Sequence, residues 1–187
     1  MKDRFESLAG QVQSRRDFDS PPLHLWHPPL SGDMAIRIDA QGKWYHEGRE
    51  IKRESLVRLF ASILRRERDG EYYLVTPSEK WRISVEWYPL LVIDFDVLEP
   101  TRAHLLQGTL NTGRKVIVSE LQPLFLDADA GSIAVMTLPH GLSAICTRPA
   151  WYRLVAMASH QDGVTAPGVR RISACTFGFV AVALIHH

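Results

Sequence analysis

Met34-Ala35-Ile36-Arg37-Ile38-Asp39-Ala40-Gln41-Gly42-Lys43-Trp44-Tyr45-His46-Glu47-Gly48 is the stretch that decides how this chain folds. Met34, Ile36 and Ile38 recur at every second position, the period of a strand with one covered face. Ala40-Gln41-Gly42 follows as a glycine turn and Trp44-Tyr45-His46 as a returning aromatic strand, so the stretch predicts a hairpin. Glu47-Gly48 predicts a second turn. Just beyond it, Leu56, Leu59, Phe60, Ile63 and Leu64 repeat at helical spacing. They predict a helix from Arg53 to Arg66 that Asp69-Gly70 stops. Tyr72 to Thr76 and Trp81 to Glu86 flank Pro77-Ser78-Glu79 and predict a second hairpin.

Outward from this block the pattern changes. Toward the N-terminus, Phe5, Leu8, Ala9 and Val12 predict an amphipathic helix over 2–16, ended by Asp19-Ser20-Pro21-Pro22. After Pro89 short apolar runs predict strands at Leu90 to Leu98, His104 to Leu110, Lys115 to Ser119 and Ile133 to Leu138. A last helix is expected over Pro149 to Ser159, with proline in its first turn. Arg53, Arg58, Leu59 and Ala61 fall on Arg148, Arg153, Leu154 and Ala156 at one constant offset. The expectation is an α+β protein of two small related domains, each a duplicate of one hairpin-helix unit, the second β-rich. The divisions expected are 1–19 for the first helix, 20–95 and 96–160 for the two domains, and 161–187 for an atypical tail. Within the tail, Ile172 to Ile185 is apolar but too short for a helix crossing a hydrocarbon core of ~30 Å, so a terminal strand is expected there.

With 187 residues, 45% of them hydrophobic, the chain can bury a core. A net charge of +1 supplies no global basic field, which argues against nonspecific nucleic-acid binding. Met1-Lys2-Asp3-Arg4 mixes charges and no apolar stretch follows it, so the expected compartment is the cytoplasm. Cys146 and Cys175 have no Cys-x-x-Cys spacing, and buried free thiols are expected.

The residues with chemistry to offer lie mostly between Trp26 and Glu86. Lys80-Trp81-Arg82 sets a flat aromatic between two cations, and Trp26 and Trp44 stand near His27 and His46. An indole that stacks and a cation that meets an anion suit a planar anion such as a nucleotide. Read as a strand, the same run puts Trp81 with Ile83 in the core and leaves Lys80 and Arg82 on the other face. His24, His27, Asp33, His46 and Glu47 are metal-ligand types, but their spacing matches no metal motif, and no serine lies in a Gly-x-Ser-x-Gly elbow. Arg65-Arg66-Glu67-Arg68 reads as a solvated helix end or a partner contact.

Leu25-Trp26-His27-Pro28, Gly32-Asp33, Gly42-Lys43-Trp44-Tyr45-His46-Glu47-Gly48 and Thr76-Pro77-Ser78-Glu79-Lys80-Trp81-Arg82-Ile83 together resemble a bacterial family catalogued as domain of unknown function 1285. Gly141-Leu142-Ser143-Ala144-Ile145 and Arg148-Pro149-Ala150-Trp151-Tyr152 extend the resemblance into the second half. It spans about Leu8 to Ala158, so 161–187 reads as a lineage-specific tail or an altered reading frame. The resemblance implies a duplicated α+β core whose second domain is loosely like a pleckstrin-homology fold. It also implies a ligand site at the domain interface suited to a nucleotide-like molecule, a place in signal transduction, and no catalytic activity. Carried onto this sequence, the ligand-binding residues implied are Trp26, His27, Asp33, Trp44, His46, Glu47, Lys80, Trp81 and Arg82, with Arg148 from the second domain.

The expectation is therefore a non-enzymatic binding or sensing protein without cofactor or resident metal. Trp44 or Trp81 would stack, Lys80 and Arg82 would meet the anion, and His27, Asp33 and His46 would orient the ligand. One alternative is a hydrolase-type enzyme built on His27, Asp33, His46 and Glu47. Another is a protein interaction module whose partner meets the second domain or Ile172 to Ile185.

Overall fold

The computed structural model describes residues 21–98 and 105–161. The helix expected over 2–16 and the strand expected at Ile172 to Ile185 lie outside the described residues. Contacts divide the chain into two units, one running to Pro89 and including His140–Leu142, the other comprising Leu90–Pro139 and the chain from Ser143. The division thus falls between Pro89 and Leu90 rather than near Asp96, which lies inside a strand of the second unit.

In the first unit the strands are β1 (Leu30–Ile38), β2 (Trp44–His46), β3 (Arg49–Glu50), β4 (Leu64–Arg66), β5 (Tyr72–Val75) and β6 (Lys80–Val85), with helix α1 (Glu54–Ser62) between β3 and β4. They form one sheet in the order β3-β2-β1-β6-β5-β4. Only β1 and β6 are parallel; every other pairing in this sheet is antiparallel. The hairpin expected around Gly42 is present, with Ile38 opposite Trp44. Asp39 organises its turn: the Asp39 Oδ1 accepts from the amides of Gln41 and Lys43, both at 2.9 Å, and its Oδ2 from the Tyr45 hydroxyl at 3.0 Å. Glu47 (φ 48°) and Gly48 (φ 77°) make the second turn, two consecutive left-handed residues of the kind a tight hairpin requires.

The helix is shorter than its periodicity predicts. It stops at Ser62 because the Ile63 carbonyl accepts from the Val75 amide at 3.0 Å, which commits the chain to the sheet. Leu64, Arg65 and Arg66 then pair with Leu74, Tyr73 and Tyr72. Ile63 and Leu64 are fully buried, so the apolar residues that prolong the helical pattern are core residues of a strand. Asp69-Gly70 belongs to the turn from β4 to β5 and is not a helix stop. Phe60 of α1 stacks on Trp44, with ring centroids 6.2 Å apart and 27° between planes. Around them Ile36, Ile38, Leu74, Trp81 and Ile83 complete the apolar interior of this unit.

The second unit repeats the plan. β7 (Leu90–Leu98), β8 (Leu105–Leu110), β9 (Lys115–Ile117), β10 (Leu124–Asp127), β11 (Ile133–Thr137) and β12 (Ser143–Cys146) form a sheet in the order β10-β11-β12-β7-β8-β9, followed by helix α2 (Arg148–Gln161). Numbered from the first strand of each, both sheets read 4-5-6-1-2-3, and in both the first and last strands are the parallel neighbours. Two antiparallel meanders joined through their outer members is thus a shared architecture, and the protein is α+β with two related domains. The helices hold different places in it, α1 after the third strand and α2 after the sixth. α2 packs on β7, β11 and β12. β10 and β12 are additional to the strands expected. Val92, Phe95, Leu106, Leu110, Val135, Met136 and Ile145 fill this interior, and burial pushes the Cys146 thiol up to about 12.

Candidate functional site

Strand β6 sorts its residues by the alternation of a pleated strand. Trp81 and Ile83 are buried, while Lys80 and Arg82 are only partly covered. Register places Arg65, Tyr73, Arg82 and Asp33 opposite one another on four adjacent strands, so one polar row crosses β4, β5, β6 and β1. Asp33 reaches that row because Gly32, at φ 130°, carries the chain through a conformation that a side chain disfavours. A Cβ on Gly32 would stand 3.4 Å from the Trp81 ring, so the Gly32-Asp33 pair both covers tryptophan and presents a carboxylate.

Two ion-pair systems lie around this row. Arg82 Nε donates to Asp33 Oδ1 at 2.6 Å, and both side chains are well exposed, at 43% and 68%. The hydrogen bond from Arg82 holds the Asp33 carboxyl below the usual carboxylate range. The other system is more enclosed. Lys80 Nζ donates to Glu67 Oε2 at 3.0 Å and Oε1 at 3.2 Å, and Arg65 Nη2 donates to Glu67 Oε1 at 2.5 Å. Burial alone would raise the Glu67 carboxyl; the bonds from Lys80 and Arg65 outweigh it and hold the group low. Lys80 Nζ also lies 4.9 Å from the centre of the Tyr73 ring, within cation–π range. The Tyr73 hydroxyl donates to Asp69 Oδ2 at 2.7 Å, and that bond, helped by burial, pushes the phenol up to about 12.

Arg65 corrects the reading of Arg65-Arg66-Glu67-Arg68 as a solvated helix end. Its side chain is mostly buried, and Nη1 donates to the carbonyls of Leu23 at 3.1 Å and Trp26 at 2.9 Å. It thereby ties the Leu23–Leu25 turn and Trp26 to the Glu67 and Lys80 pair. Arg65, Glu67 and Tyr73 are site residues that sequence reasoning missed. The available signal was an acid flanked by arginines two residues before a glycine turn, which has meaning only once β4 is recognised as a strand.

The tryptophans divide. Trp44 is 1% exposed and Trp81 6%, so both have their faces in the core. The Trp44 indole N–H is buried without a hydrogen-bond partner, while that of Trp81 donates to Glu79 Oε2 at 3.4 Å. Trp26 is half-buried and His27 exposed. His46 ends β2 opposite Ile36, and Glu47 is exposed in the left-handed turn. Arg148 belongs to the second unit, exposed at the start of α2. Among the described residues no three His, Cys, Asp or Glu side chains gather so as to hold a metal ion, and His27, Asp33, His46 and Glu47 do not form such a group. Among the same residues no helix is long and apolar enough to cross a membrane.

Residues 21–87 match the sequence model described as domain of unknown function (DUF1285), N-terminal domain. Comparison with curated proteins gives no match. Among solved structures, the chain is similar to a DUF1285 family protein from Silicibacter pomeroyi DSS-3, with 34% identity and a TM-score of 0.70, over 80% of this chain and 82% of that one. It is also similar to a DUF1285 family protein from Shewanella baltica OS155, with 31% identity and a TM-score of 0.54, over 66% of this chain and 91% of that one. The matched sequence model over 21–87 and the 34% identity over 80% of this chain agree, and the chain belongs to the DUF1285 family.

Proposed function

We propose that this protein binds a nucleotide-like anionic ligand in the cytoplasm and acts as a sensor in signal transduction, without catalysing a reaction. The observation that carries the proposal is the Glu67 carboxylate seated between Arg65 and Lys80, whose ammonium lies over Tyr73, on the strand that also carries the half-exposed Arg82. This is a place already built to hold an anion, and a guanidinium fork on the same strand as Lys80 suits phosphate oxygens. Arg82 is engaged by an exposed ion pair, which water and salt weaken, so a phosphate can take the place of Asp33. Trp26 is the one of the three expected tryptophans outside the core, and its carbonyl is bound by Arg65. In this reading Trp26 supplies the stacking face, Lys80 and Arg82 the positive charge, and Asp33 and His27 the polar edge.

The test is calorimetric titration of the purified protein with nucleoside monophosphates and cyclic dinucleotides, paired with thermal shifts, since a ligand selective for the folded state raises Tm by mass action. The expected result is saturable binding of at least one nucleotide, weakened at least tenfold in Lys80→Ala and Arg82→Ala. No nucleotide binding, or affinity unchanged in both variants, would overturn the reading.

A further inference from the structure

Along the last residues of β6 the first unit carries a groove of about 410 Å³, within the range of small-molecule sites. Arg66, Glu71, Tyr72, Ser84, Trp87 and Tyr88 are the groups in its wall that offer chemistry. Lys80, Arg82, Glu67 and Asp33 are not in it, so it is separate from the anion seat.

Its exposed lining is mainly polar, with three aromatic rings and one charge of each sign among the residues of the wall. The Arg66 guanidinium lies over the Tyr72 ring, 5.3 Å from its centre, and Arg66 Nε donates to the Gly70 carbonyl at 3.0 Å, which leaves the fork held in one orientation. Trp87 and Tyr88 have ring centroids 5.4 Å apart and are tilted by 57°, and Trp87 keeps 43% of its surface exposed. Neither Arg66 nor Glu71 has an ion-pair partner among the described residues. One fixed donor fork, one carboxylate acceptor and an open indole face make a set that few ligands use together. A simple anion satisfies Arg66 and is repelled by Glu71. An aliphatic chain leaves both charges unmet.

We propose that this groove binds an uncharged planar heterocycle whose edge carries both donors and acceptors, the class that includes nucleobases. Trp87 stacks on the ring, Arg66 donates to a ring nitrogen or carbonyl, and the Glu71 carboxylate accepts from a ring N–H or amino group. Stacking sets affinity for the class, and the two charged groups select among rings by edge pattern.

Guanosine, adenosine and uridine, nucleosides without phosphate, are the probes, titrated by calorimetry and by quenching of tryptophan fluorescence. They lack the phosphate that Lys80 and Arg82 would hold, and the Trp87 and Glu71 variants tie any binding to the groove. The expected result is saturable binding of at least one nucleoside, at least tenfold weaker in both Trp87→Ala and Glu71→Gln. Absence of binding by all three nucleosides, or binding unchanged in Trp87→Ala and Glu71→Gln, would overturn the groove while leaving the nucleotide titrations with Lys80→Ala to decide the anion seat on their own.

Discussion

The Glu67 carboxylate stands 3.0 Å from the Lys80 ammonium and occupies the place where an external anion would sit. A ligand phosphate must therefore displace an internal carboxylate. Glu67→Gln keeps the shape and removes the charge, so it should raise affinity for the nucleotide identified by titration, by roughly tenfold if the internal pair and the external one are comparable. Calorimetry on Glu67→Gln beside the wild-type protein checks this, and weaker binding in the variant would mean that Glu67 helps the ligand.

The same pair makes stability depend on pH. Glu67 is held below its ordinary value in the folded protein, so its contribution is complete above the ordinary glutamate range and is lost as pH falls through the lowered value. Asp33 and Asp39 are displaced in the same direction and reinforce the trend. The Tm of the wild-type protein should exceed that of Glu67→Gln at pH 7, and the difference should shrink toward pH 3. A constant difference across that span would show that the Glu67 charge contributes nothing to folding.

Asp39 accepts three hydrogen bonds while almost fully buried. Burial raises its carboxyl, and the amides of Lys43 and Gln41 with the Tyr45 hydroxyl more than reverse that rise. Asp39→Ala strands two backbone amides in the turn between β1 and β2 and should cost about 2 kcal/mol, whereas Asp39→Asn retains an acceptor oxygen and should cost about half as much. Urea unfolding of the two variants gives both values.

In the second unit, a Cβ on Gly108 would fall 2.6 Å from Met136 Cε and 3.3 Å from Phe95 Cε1. Met136 Cε is the free end of a flexible side chain and can shift while the Phe95 ring gives by a few tenths of an ångström, so Gly108→Ala should destabilise by about 1 kcal/mol through overpacking. Shortening the neighbour should relieve part of it, so Gly108→Ala with Met136→Ala should cost less than the two single changes added together. A double-mutant cycle by chemical denaturation measures the coupling.

Much of the first unit was readable from local pattern. The hairpins around Gly42 and Pro77-Ser78 carry their own turn chemistry, and β1 and β6 show strand periodicity or β-branched and aromatic residues within a few positions. Leu64–Arg66 was misread because Ile63 and Leu64 satisfy helical spacing and strand burial equally well, and only the Val75 amide decides between them. Ser143–Cys146 is short and partly small-sided, and it becomes a strand through its pairing with Leu90 to Val92, contributed from far along the chain. The site divides in the same way. Lys80 and Arg82 follow from alternation on one strand, but their partners Glu67 and Asp33 arrive from other strands, and no spacing rule connects them.

In each sheet the two central strands are the first and the last to be made: Leu30 lies opposite Lys80, and Leu91 opposite Ile145. A chain emerging from the ribosome can form its first meander early, yet the sheet has no centre until the final strand of that unit leaves the exit tunnel. Such distant pairing is slow to close and leaves strand edges open in the interval. The first unit can close around β6 before β12 exists, so synthesis should build the two sheets in succession, and a nascent chain arrested before Lys80 should present β1 as an unpaired edge to chaperones.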